Sequence, residues 1–96
     1  MVEYEESGAG LRCVFSGKLD TLACQSFETG LANRVRRAPG AVAFDLAAVF
    51  YVSSSFLRLC IQTAKERSGT GFAIVNPSPD VQKVLLIAGL DKLVKS

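Results

Sequence analysis

Three consecutive serines, Ser53, Ser54 and Ser55, stand between an apolar run and an amphipathic one, where a strand should give way to a helix. A serine favours a helix start because its oxygen accepts one of the free amide hydrogens of the first turn. One serine suffices for that. A second, at the first helical position, presents its hydroxyl at the positive end of the helix macrodipole, where a phosphate is well accommodated. The run therefore reads either as a generous cap or as a switch. Two carboxylates bear on it. Asp20 precedes a helical pattern and can cap it, with Thr21 as the alternative, while Asp45 closes a short apolar run where packing does not explain a charge. Asp45 would support the serine turn through its free amides or help position a metal-bound phosphate there.

Other chemistry is sparse. The chain has no histidine, which removes the usual general base, the Ser-His-Asp and Cys-His nucleophile systems, and most zinc and haem sites. Ninety-six residues, 49% of them hydrophobic, suit one domain over 1–96 with a single core and no large cleft. No enzyme, cofactor or metal is expected. Cys13, Cys24 and Cys60 form no CxxC and are odd in number, so they read as reduced, mostly buried thiols. Gly69-x-Gly71 precedes a strand and is no phosphate loop. Eleven basic and nine acidic residues leave a net charge of +2. The local group Arg34, Arg36 and Arg37 complements a helix end better than it forms a nucleic-acid footprint. The acidic N-terminus is unlike a signal peptide and no apolar run approaches membrane-spanning length, so a cytoplasmic protein without membrane insertion is expected.

Periodicity supplies the elements that must hold the serines. Val2 and Tyr4 alternate with glutamates, and Leu11, Cys13 and Phe15 alternate after a turn over residues 7–10, which predicts a hairpin. Ala23, Phe27, Leu31 and Val35 form the stripe of a helix ending near Pro39-Gly40. Residues 41–46 read as a covered strand, followed by the serine turn. Leu57, Cys60, Ile61 and Ala64 then form a second stripe, with Arg58, Gln62, Lys65 and Glu66 facing water and Gly69 as the stop. After a strand over 71–75, Ser78 caps a helix with Pro79 first, lined by Val81, Val84, Leu85 and Ala88 and ended by Gly89. The tail is a terminal strand or frays. The order β-β-α-β-α-β-α implies an α/β fold, a mixed sheet covered by helices in which Phe27, Leu31, Leu57, Ile61, Val84 and Leu85 are buried.

Gly17-x-Leu19-Asp20, Phe44-Asp45-Leu46, Ser53-Ser54 followed by Leu57-Arg58, and Gly89-Leu90 after a helix occur in an order and spacing that resemble the STAS domain, the fold of bacterial anti-sigma factor antagonists. The likeness covers nearly the whole chain. It implies a module of signal transduction and transcription regulation that binds an anti-sigma factor serine kinase, is released when that kinase phosphorylates it, and is restored by a phosphatase. The acceptor falls on Ser54. Asp20, in a loop that lies beside the serine loop in such domains, together with Ser53, Ser55, Phe56 and Arg58, would contact the partner. The chain departs from the family pattern at Ser53, where an acidic residue is common, and at Phe56, where glycine is usual. A ring at Phe56 would block a kinase or give a partner an apolar anchor. The second outcome also suits an alternative role, a STAS-type docking subunit of a bacterial lipid-transport ABC system with no phospho-switch.

Overall fold

The alternation at the N-terminus gives β1 (Val2–Ser7) and β2 (Gly10–Leu19), which pair antiparallel with Val2 opposite Phe15 and Ser7 opposite Gly10. α1 (Thr21–Arg37), β3 (Ala41–Val52), α2 (Ser54–Glu66), β4 (Phe72–Val75), α3 (Pro79–Ile87), a 3-10 turn over Asp91–Leu93 and β5 (Val94–Lys95) follow. The computed structural model describes residues 1–8, 10–68 and 71–95. One five-stranded sheet runs in the order β1-β2-β3-β4-β5, parallel at every pairing after the first. A parallel step needs a crossover, and each helix supplies one. The α/β class and the mixed sheet are as expected, and the tail does form a strand.

Leu11, Cys13 and Phe15 of β2, Val42 and Phe44 of β3 and Ile74 of β4 join the buried residues of all three helices in one continuous core. Its centre is aromatic. The ring of Phe15 lies 5.5 Å from that of Phe27, 5.0 Å from Phe44 and 5.1 Å from Phe56. Phe44 in turn meets Phe72 at 4.8 Å and Phe56 at 6.0 Å. Most of these pairs are edge-on or tilted, the geometry the ring quadrupole favours. Burial pushes the Cys13 thiol up to about 12 and raises Cys24 and Cys60 as well, so all three behave as small apolar side chains.

Several expectations about packing need correction. α1 buries Phe27, Leu31 and Val35 as read, with Cys24 rather than Ala23 at the head of the stripe. On α2 the buried side is Phe56, Leu59, Cys60 and Thr63. Leu57 is half-buried and Ile61 exposed, so the stripe is turned by one residue from the expected one. The aromatic centre draws Phe56 inward, and Thr63 tolerates burial because its hydroxyl donates to Leu59 O at 2.7 Å. α3 buries Val81 and Leu85 but leaves Val84 and Ala88 in water. The stop expected at Gly69 lies outside the described residues. α2 ends at Glu66, and the buried Arg67 after it donates to Val35 O and Gly40 O, tying α2 to the end of α1 and the start of β3. Arg34, Arg36 and Arg37 do occupy the last turn of α1; Arg34 also lies over the Tyr4 ring and 3.5 Å from Glu6 Oε1.

The largest departure is β3, which continues to Val52 instead of ending at Leu46. Asp45 is consequently mid-strand and does not support the serine turn. Its Oδ1 accepts from Ala47 N at 3.0 Å and from Asn76 Nδ2 at 3.4 Å, and its Oδ2 is bonded to the Arg12 guanidinium. Asn76 follows β4 in a left-handed conformation, φ 59°, which Asn adopts more readily than most residues. The carboxylate thus joins β2, β3 and the exit of β4. Burial raises its pKa, but the hydrogen bonds from Ala47, Arg12 and Asn76 and the Arg12 charge outweigh burial and hold it below the usual carboxylate range.

Two outcomes follow for stability. Phe56→Ala should cost about 3–5 kcal/mol, the range for emptying a buried aromatic site, whereas Ile61→Ala should change the urea midpoint little. Asp45 gives stability that is full above its unfolded pKa of about 3.9 and is lost as pH falls through the lower folded value. Urea midpoints of the wild type and Asp45→Asn should therefore differ most at neutral pH and converge in acid. A gap that persists undiminished below the folded pKa would assign the effect to shape rather than charge.

Candidate functional site

β2 and β3 end together, with Leu19 opposite Val52. The next residue of each chain segment is a helix cap. Asp20 caps α1, its Oδ1 accepting from Ala23 N at 2.9 Å. Ser53 caps α2, its Oγ accepting from Phe56 N at 3.3 Å. Ser53 N–H also donates to Leu19 O at 3.0 Å. Two helix N-termini therefore open side by side at one end of the sheet. The first turn of α2 contains no acidic residue, so the local field from its free amides is positive, whereas the Asp20 carboxylate offsets that of α1.

The three serines have separate fates. Ser53 is buried, and its hydroxyl is occupied by the cap. Ser54, the first residue of α2, is exposed and its hydroxyl makes no hydrogen bond among the described residues. Ser55 is half-buried, its Oγ 3.2 Å from Thr21 Oγ1 across the two helix starts. Arg58, one turn into α2, is exposed, so the i,i+4 spacing sets it on the same side as Ser54.

Two partner-contact expectations do not survive this geometry. Ser53 lies beneath the surface as a cap. Phe56 is 0% exposed, since its ring fills the space between Phe15 and Phe44; it neither blocks a kinase nor offers an anchor. The docking-subunit reading that Phe56 favoured loses its support. Asp45, eight residues before Ser53, belongs to the tie with Arg12. The surface aromatics are instead Phe50 and Tyr51. They escaped notice because β3 was expected to end before them, although Ala47 to Val52 continues the apolar run.

Among the described residues no group of His, Cys, Asp and Glu has the arrangement of a metal site, and no helix is long and apolar enough to cross a membrane. The candidate site these observations leave is the exposed hydroxyl of Ser54 at the start of α2.

A search of curated proteins gives no match. Among solved structures, the anti-sigma factor antagonist SpoIIAA in its unphosphorylated form superposes with a TM-score of 0.86 at 18% identity, covering 99% of this chain and 86% of its own. A STAS-domain protein from Planctomyces limnophilus gives 0.86 at 21% identity, with coverage of 97% and 86%. The Bacillus cell fate determinant SpoIIAA in its phosphorylated form gives 0.77 at 18% identity, with coverage of 99% and 89%. At these identities the likeness concerns the fold. The family described as "STAS domain" matches residues 3–96, and with the sheet order and the capped serine turn already in place, the chain belongs to the STAS domain family.

Proposed function

We propose that this domain is a protein-protein interaction module of the anti-sigma factor antagonist kind, switched off by phosphorylation of Ser54. The observation that carries the reading is the division of labour in the serine run: Ser54 alone is exposed and unengaged, while Ser53 caps the helix and Ser55 meets Thr21. The solved SpoIIAA structures, one in an unphosphorylated and one in a phosphorylated form, support such a switch by likeness. The partners are an anti-sigma factor serine kinase, which the unmodified domain binds, and a phosphatase that restores it, both acting in the bacterial cytoplasm where ATP is present. Asp20, Ser55 and Arg58 border the acceptor and contact the kinase. No catalysis is assigned to the domain itself.

The physical basis is a separation of internal and external effects. A phosphate adds about 1.5 to 2 negative charges at neutral pH. Within the domain those charges stand at the N-terminus of α2, whose free amides favour them, so the fold tolerates them. On the partner surface they must be desolvated or repelled. A coupling of about 1–3 kcal/mol, usual for such switches, weakens binding several-fold to a hundredfold.

The test uses the purified anti-sigma factor serine kinases encoded in the same genome, with labelled ATP. Wild type, Ser53→Ala and Ser55→Ala should take up phosphate, and Ser54→Ala should not. Labelling of Ser54→Ala equal to wild type, or none of the wild type by any of these kinases, would refute the switch. Stability should separate the two neighbours in the other direction. Ser53→Ala removes a cap and should cost about 1 kcal/mol, whereas Ser54→Ala should stay within about 0.5 kcal/mol.

A further inference from the structure

β3 carries two more residues than the stretch of β2 it pairs with. From Val14 to Ser16 β2 advances two positions while β3 advances three, from Asp45 to Ala48; from Gly17 to Lys18 β2 advances one while β3 advances two, from Val49 to Tyr51. The residue left over at the second irregularity is Phe50. Gly17, opposite Val49 at the edge of that irregularity, has φ 83°, a conformation that glycine reaches without strain. Bulges are uncommon between parallel strands, and they re-aim side chains. In a regular strand neighbouring residues point to opposite faces, so one of two adjacent aromatics would turn inward. Here both are exposed, Phe50 at 69% and Tyr51 at 45%, while Phe15, Phe27, Phe44 and Phe56 meet in the interior and Phe72 packs half-buried against them.

The surroundings of this pair belong to the serine corner. Leu22, 77% exposed, lies in the first turn of α1 next to Thr21, the residue whose hydroxyl meets Ser55. Lys18, paired with Tyr51 across the two strands, has its Nζ 5.5 Å from the Tyr51 ring centre. Arg58 completes the edge on α2. Among the described residues, neither Lys18 nor Arg58 forms an ion pair. Phe50 and Tyr51, with Lys18 beside them, thus stand at the same end of the sheet as the exposed Leu22 and Arg58, which lie near the starts of the helices that follow β2 and β3.

We propose that Phe50 and Tyr51, with Leu22, are the anchors by which the domain seats in the active-site mouth of the protein kinase that modifies Ser54, and that this mouth is an apolar cleft rimmed by carboxylates. The proposal rests on Ser54 being the acceptor. Phosphoryl transfer requires the reacting atoms to come within about 3–3.5 Å, so the kinase must lie directly over Ser54. Phe50 is four residues away, which places its Cα at most about 14 Å from that of Ser54. A standard interface buries about 800 Å² on each side, a patch about 30 Å across, so it covers the whole corner. Tyrosine is among the residue types that lead binding hot spots, and phenylalanine is enriched with it in interface cores. Lys18 and Arg58 set the charge of the complementary rim, which governs the rate and register of docking.

The experiment measures calorimetric binding of the same purified anti-sigma factor kinases to unphosphorylated domain variants. Phe50→Ser should weaken binding by at least about tenfold, as expected of a hot spot, and Tyr51→Ser by several-fold, with thermal midpoints unchanged because both rings are already in water. Lys18→Glu should weaken binding and flatten its salt dependence, and it keeps the proposal testable if either aromatic variant misfolds. If Phe50→Ser and Lys18→Glu bind as wild type while Ser54→Asp has lost affinity, the surface is overturned and the serine switch stands. If no kinase binds the wild type, both readings fall. If the domain self-associates, and Phe50→Ser abolishes that without affecting the kinase, a second copy is the occupant and the proposal is wrong.

Discussion

The ring of Phe56 fixes the geometry of everything at the serine end of the sheet. It is the third residue of α2 and packs edge-on to Phe15 at 5.1 Å and beside Phe44 at 6.0 Å, so the first turn cannot rotate or slide without separating core rings. Ser54 lies two residues earlier, about 200° around the helix axis at 3.6 residues per turn. A ring held inward at Phe56 therefore holds Ser54 outward. The same residue's amide donates to Ser53 Oγ. One position thus links the aromatic core, the cap and the orientation of the exposed hydroxyl.

Strand register adds the electrostatics. Because Leu19 is opposite Val52, the two caps that follow, Asp20 and Ser53, are neighbours, and the helices they start present their free amides at the same level. Aligned peptide dipoles give each start about half a positive charge. The Asp20 carboxylate is directed at Ala23 N and offsets the field of α1, which leaves the start of α2, with Arg58 on the side of Ser54, as the positive end. A second negative group at Ser54 is consequently received by a favourable field inside the domain. Under the proposed switch its effect would fall on whatever approaches from outside, and that asymmetry would let a modification alter association without unfolding the chain.

The order of elements, the hairpin, the α1 stripe and all three caps were legible in the sequence, because each rests on local periodicity or on a single capping residue. The α2 stripe was not. Phe56 stands in the first turn of a helix beside three serines, which invites a surface reading, and Thr63 is polar; only the proximity of Phe15 and the Leu59 carbonyl makes both interior. Asp45 was misplaced for a similar reason. Its partners Arg12 and Asn76 are distant along the chain, and a twelve-residue strand is about twice the usual length, so a turn soon after a mid-run carboxylate was the natural expectation. The bulges leave no mark in β3 itself, since they arise from counting two strands against each other.

The Asp45 tie and the bulges are connected. β4 leaves the sheet after Val75, opposite Asp45, so β3 runs on from Leu46 with only β2 beside it. A two-stranded ribbon is weakly restrained, and two irregularities should loosen it further. Its base, however, is held where the Arg12–Asp45 pair and Asn76 join three strands. Its tip is held by Ser53 N–H on Leu19 O and by the buried side chains of Val49 and Val52. Between these fixed ends the extra residue cannot be absorbed by sliding the register, and Phe50 is the side chain displaced outward. Its exposure is therefore built into a rigid frame. A backbone held in that way loses little conformational freedom on binding, and preorganisation of this kind lets a small surface bind tightly.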